Sequence, residues 1–174
     1  MNVEQIFSGI PMFKHIKLDK ILFEGKYPVL FTCVNGEEIY LFSCCLVNSK
    51  IIKWIGSKTN YKSLIALLKN EKTIYDTFQD VIDEKIVIEY NGEKVIYEIK
   101  DRALIPEHLF PTKGEYMDAE EDEFIEEISE FEQRDGYTQI LIAKSSLSWI
   151  SLHYQAQMIN WPQEDLVLDV HDKR

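Results

Sequence analysis

Three cysteines, four histidines and a dense run of carboxylates are the side chains in this 174-residue chain whose chemistry goes beyond packing. Cys44 or Cys45 with His108 or His153 is the thiol–imidazole combination on offer for nucleophilic catalysis, the imidazole taking the thiol proton. Both cysteines fall in the middle of an apolar run, whereas a thiolate is stabilised at a loop or a helix N-terminus. With Cys33 they make an odd number, and neighbours on a strand face opposite ways, so neither a disulfide framework nor a zinc site is expected. Buried, reduced thiols are the expectation. Ser145-Ser146 lacks the Gly-x-Ser-x-Gly elbow, and the chain has no Gly-x-x-x-x-Gly-Lys loop to cradle phosphates. His15, His108, His153 and His171 lack ligand spacing. No catalytic residue, metal ligand or cofactor is therefore assigned, and His153 is expected in the core.

The carboxylates are the stronger signal. Between Glu115 and Asp135 eleven acids face one cation, Arg134, so nearly all of the formal net charge of −11 sits in one segment. Phe124, Ile125, Ile128 and Phe131 recur at helical spacing inside it and predict the buried stripe of a helix from about Asp118 to Gln133. Such a helix presents Glu120, Glu121, Glu123, Glu126, Glu127 and Glu130 as a binding surface or a mimic of a phosphate backbone. The plainer reading, and the one that charge runs usually bear out, is a solvated helix or partly disordered loop that aids solubility. Asp118 and Asp122 have a spacing seen in cation sites, but there is no Asp-x-Asp-x-Asp-Gly loop.

These groups need a scaffold, and the pattern predicts an α+β fold in one domain spanning residues 1–174. Glu38 to Val47 is apolar on both alternating faces, as a strand covered on both sides must be. Asn35-Gly36 before it predicts a type I′ hairpin with Val29–Val34, and Ile51–Ile55 adds a third strand to an antiparallel meander. Asn91-Gly92 predicts a second hairpin between Ile86–Tyr90 and Glu93–Ile99. Gly56 to Asn60 breaks the strand pattern. Thr59 or Asn60 then caps a helix with Leu64, Ile65, Leu67 and Leu68 on one face, ending near Asn70. Thr73 caps a shorter helix carrying Ile74, Phe78 and Ile82. Residues 1–20, interrupted by Pro11, form a lead-in, Ile21–Phe23 a short strand, and Pro106 and Pro111 bracket an irregular passage. Further on, Tyr137–Ala143 reads as a late strand, Ser146–Asn160 as a helix and Leu166–Leu168 as an edge strand. Trp54, Trp149 and Trp161 are expected mostly as core.

Tyr27-Pro28-Val29-Leu30-Phe31, then Tyr40-Leu41, then the leucine-rich helix leading to Thr73-Ile74-Tyr75-Asp76-Thr77-Phe78 carry a likeness: over residues 27 to 80 the chain resembles a family of small bacterial domains of unknown function. No catalytic residue travels with it.

The charge excludes a basic footprint for nucleic acid or anionic membrane. Neither a signal peptide nor an apolar run of membrane-spanning length is visible, so a cytoplasmic protein is expected. The function expected is a non-enzymatic bacterial or phage interaction domain, of the inhibitor, immunity or antitoxin-like kind, serving defence or anti-defence. Its partner would be a basic or nucleic-acid-binding protein. The alternative is a small enzyme with a polar site assembled from distant loops.

Overall fold

Strands with apolar residues on both faces have to be covered on both sides, and the middle strands here bury residues on both faces, although Leu46 and Val47, at the end of the stretch from Glu38, are 36% and 50% exposed. The computed structural model describes residues 16–82, 84–137 and 140. Six strands, β1 (Lys17–Glu24), β2 (Pro28–Asn35), β3 (Glu38–Val47), β4 (Ile52–Thr59), β5 (Glu84–Tyr90) and β6 (Val95–Asp101), form one open sheet. Each strand pairs antiparallel with the next in chain order. The class is α+β. By compactness the chain divides into Met1–Phe131 and Glu132–Arg174, and the contacts described below belong to the first unit.

On one face, Phe31, Cys33, Phe42, Trp54 and Ile88 are buried together. Phe31 and Phe42 stack with centroids 5.4 Å apart, and the Trp54 indole donates to the Pro28 carbonyl at 2.9 Å. On the other face Leu30, Ile39, Leu41 and Ile55 meet Leu64, Leu67 and Leu68 of α1 (Tyr61–Leu68), with Phe78 from just after α2 (Ile74–Thr77). Asn60 and Thr73 cap these helices, accepting from the Ser63 and Asp76 amides. The first turn of each thereby gains a partner for an orphan N–H. A third helix, α3, runs over residues 125–137, and Phe124 and Phe131 are buried in the same cluster as α1.

Several local expectations change. The first hairpin turns through Gly36 and Glu37, because Asn35 pairs with Glu38. Gly36 has φ of 62° and Glu37 is not among the residues with positive φ, which is the type II′ pattern, with glycine first, rather than I′. In the second hairpin Asn91 folds over its own loop, its Oδ1 accepting from the Glu93 and Lys94 amides, so β6 starts at Val95. Gly56 does not end β4. It sits opposite Phe42, and a Cβ placed on it would lie 2.2 Å from the ring, so glycine is what lets the ring cross the strand.

β1 takes in Lys17 to Lys20 from the expected lead-in and carries three register shifts against β2. α2 ends at Thr77, leaving Ile82 71% exposed instead of on a helical face. Tyr137 and Ile140, expected in a strand, are helical; residues 125–137 contain no proline and only Gly136, which costs about 1 kcal/mol in a helix. The rest of 137–143, the helix expected over 146–160, the strand over 166–168 and residues 1–15 lie outside the described residues. So do His15, His153, His171, Ser145, Ser146, Trp149 and Trp161.

Candidate functional site: a cleft beside the acidic segment

The passage between Pro106 and Pro111 becomes one wall of a cleft. Two short 3-10 turns, Arg102–Leu104 and Glu107–Leu109, carry the chain back from β6, and side chains from four places fix them. The Arg102 guanidinium donates to Glu107 Oε2 at 2.8 Å, to the Tyr75 hydroxyl at 3.2 Å and to Gln79 Oε1 at 3.1 Å. It also lies 3.8 Å over the Phe110 ring, while Tyr75 meets that ring edge-on. Tyr75 donates to Glu107 Oε1 at 2.5 Å. The Tyr75 hydroxyl, and then the Arg102 guanidinium, hold the Glu107 carboxyl below the usual carboxylate range. Phe110 is buried beside this cluster, which ties the two turns to Tyr75 and Gln79.

Across from that wall stand Val29 and Leu30 of β2, Phe23 of β1 and Ser43 and Cys45 of β3. The half-open space between is about 410 Å³. Cys45 stands where β3 slips its register against β4, between Cys44 and Leu46. His108 and the two adjacent cysteines therefore do come to one cleft. The thiols are not set up as nucleophiles. Burial, with Cys44 beside it, pushes the Cys45 thiol up to about 11, and its Sγ donates to the Lys53 carbonyl at 3.4 Å. A thiol protonated at neutral pH reacts slowly. Cys33 is fully buried, and burial raises its thiol further still, whereas Cys44 and Cys45 are half-buried rather than core residues as expected. All three are free.

The acidic segment starts at the cleft rim, with Glu115, Tyr116 and Met117 in the lining. It is strapped to the fold from there. The Ile74 amide donates to the Glu115 carbonyl at 2.9 Å. The Asn70 side chain then clasps Ala119 on both sides, donating to its carbonyl at 2.9 Å and accepting from its amide at 3.1 Å. This clasp, with Asp118 at φ of 51°, rules out the helix expected from Asp118. A turn over 121–124 follows, the Glu123 carboxylate accepts from the Glu120 amide at 3.0 Å, and helix begins at 125.

Phe124, Ile128 and Phe131, at i, i+4 and i+7, make the stripe that packs inward. Ile125 does not join it and is 56% exposed, one position off the stripe. Glu120, Glu121, Glu123 and Glu126 are exposed, Glu127 is half-buried, and Glu130 pairs with Lys20 of β1 at 2.9 Å. Among the described residues no group of three His, Cys, Asp or Glu side chains is placed to hold a metal ion. Among them, too, no helix is long and apolar enough to cross a membrane.

Sequence patterns gave no warning of Phe23, Tyr116 or the Tyr75–Arg102–Glu107 cluster, which lie apart along the chain. The paired prolines marked the passage without showing that it lines a cavity. No family model, curated protein or solved structure matches this chain. The resemblance over residues 27 to 80 thus gains no named relative.

Proposed function

We propose that the protein is a non-enzymatic interaction domain that recognises a basic protein partner through the acidic segment, acting as an inhibitor, immunity or antitoxin-like factor does. One observation carries this: the segment is held in place by backbone and side-chain bonds on its inner side, with Glu120, Glu121, Glu123 and Glu126 left in solvent. A solubility tail has no need of a clasp at Asn70 or of two buried phenylalanines. Like charges fixed side by side raise the local potential and steer a cationic partner. The protonated thiols of the neighbouring cleft argue for binding over covalent catalysis.

The test is affinity capture from the native host with wild type and with a variant carrying Gln at Glu120, Glu121, Glu123, Glu126 and Glu127. A basic protein retained by wild type and lost by the variant supports the proposal. Equal retention of every captured protein contradicts it.

A further inference from the structure

The first residues of the acidic segment, Glu115, Tyr116 and Met117, line the cleft, so the chain passes from the cleft directly into the run of carboxylates. We propose that the cleft seats one bulky apolar side chain of a partner peptide whose flanking residues are Lys or Arg. This rests on the reading above and names the chemistry of the partner.

The volume, about 410 Å³, lies within the roughly 300–1,000 Å³ of ligand pockets and suits one large side chain better than a folded domain. Its lining combines the apolar Leu30, Ile74, Leu109, Phe110 and Met117 with the polar Ser43, His108 and Thr112, and the protonated Cys45 thiol behaves there as a small hydrophobe. The wall is already ordered by the Arg102 cluster, so little conformational entropy is lost on binding. At the rim Phe23 is 59% and Tyr116 45% exposed, two aromatics free to grip an inserted group.

Charge decides the flanks. Glu115 lines the cleft, and Asp118 and Glu120 to Glu123 follow it along the chain. The cations near the cleft are engaged: Arg102 with Glu107 at 2.8 Å, Lys53 with Glu89 at 3.3 Å, and Lys113 turned toward Glu107 at 3.8 Å and over the Tyr75 ring. A small cationic molecule filling the cleft would meet Glu115 and leave the following carboxylates unused. An extended peptide meets both.

The probes are three fluorescein-labelled peptides of equal length: Lys/Arg flanks around a central Trp, the same flanks around Ala, and Glu flanks around Trp. Each is titrated by anisotropy against the full chain in low salt. The basic Trp probe should bind tightest, with the Ala probe at least about tenfold weaker. Phe23→Ala with Tyr116→Ala, both exposed and checked by circular dichroism, should weaken the Trp probe by about tenfold and leave the Ala probe unchanged. The five-Gln variant should weaken both basic probes alike.

Equal binding of Trp and Ala probes, or an unaffected rim variant, overturns the cleft proposal; the acidic reading survives that result if the Gln variant still binds both probes less well. A Gln variant that binds like wild type, or a Glu-flanked probe that binds as well as the basic one, overturns both. A further measurement needs no variant. At ten times its dissociation constant the basic Trp probe should slow alkylation of Cys45, followed by mass spectrometry, by about tenfold. An unchanged rate, or no saturable binding of that probe, overturns the proposal.

Discussion

At the scale of single residues, Gly56 and Glu107 show how local chemistry fixes the scaffold. Gly56 faces the Phe42 ring, and any side chain there meets aromatic carbon at 2.2 to 2.6 Å. Gly56→Ala should therefore lower stability by about 1–3 kcal/mol, the usual effect of overpacking, read from the urea midpoint. An unshifted midpoint would mean that the Phe31–Phe42 stack yields freely. Glu107 gives a pH dependence. Its folded-state value is lowered from 4.5 by Tyr75 and Arg102, so its stabilisation is present above that pH and lost as pH falls through the folded value. Glu107→Gln should be less stable than wild type at pH 7, with the two melting temperatures converging below pH 4.5. A gap that stays constant across the titration would show that the charge of Glu107 contributes nothing. Neither role was visible in the sequence: Gly56 read as a breaker because its partner Phe42 is on another strand, and Glu107 read as one more loop acid.

At the scale of elements, the pattern of Glu38 to Val47 did show that this strand lies between neighbours, and the caps at Asn60 and Thr73 were legible because a cap is local chemistry. The α+β class follows from those features. The start of the acidic helix was not legible, because the residue that stops it lies far away in sequence. Asn70 holds Ala119 through an amide pair 49 positions apart, and it does so from the left-handed conformation, φ of 57°, that ends α1. Asn70→Gly keeps a residue suited to that conformation while removing the clasp. It should cost about 1–2 kcal/mol for two lost hydrogen bonds and speed hydrogen exchange at the Ala119 amide. Unaltered exchange there would show that the acidic segment is held without the clasp, by its phenylalanines and the Ile74–Glu115 bond.

At the scale of the whole molecule, charge and apolar surface are divided between two tasks. The sheet and its helices bury residues on both faces, and the net charge of −11 is concentrated where the segment leaves the cleft. The concentration was plain from composition. The cleft was not, because its lining comes from three strands, the start of α2 and the loop after β6. The five Gln substitutions fall off the Phe124, Ile128 and Phe131 stripe, so they should move the melting temperature only slightly, relief of like-charge repulsion being offset by weaker acceptance at the Glu120 amide and at the helix N-terminus. A large fall would mean that these carboxylates are structural.

The acidic docking surface is tested by the association rate with the captured basic partner, for wild type and the five-Gln variant, at low and high salt. Screening shortens the reach of charge from about 30 Å at 0.01 M to about 3 Å at 1 M salt. Wild type should associate at least about tenfold faster than the variant at 0.01 M, with the two rates meeting at 1 M. Equal rates under all four conditions would contradict an acidic docking surface and leave the segment without a part in recognition.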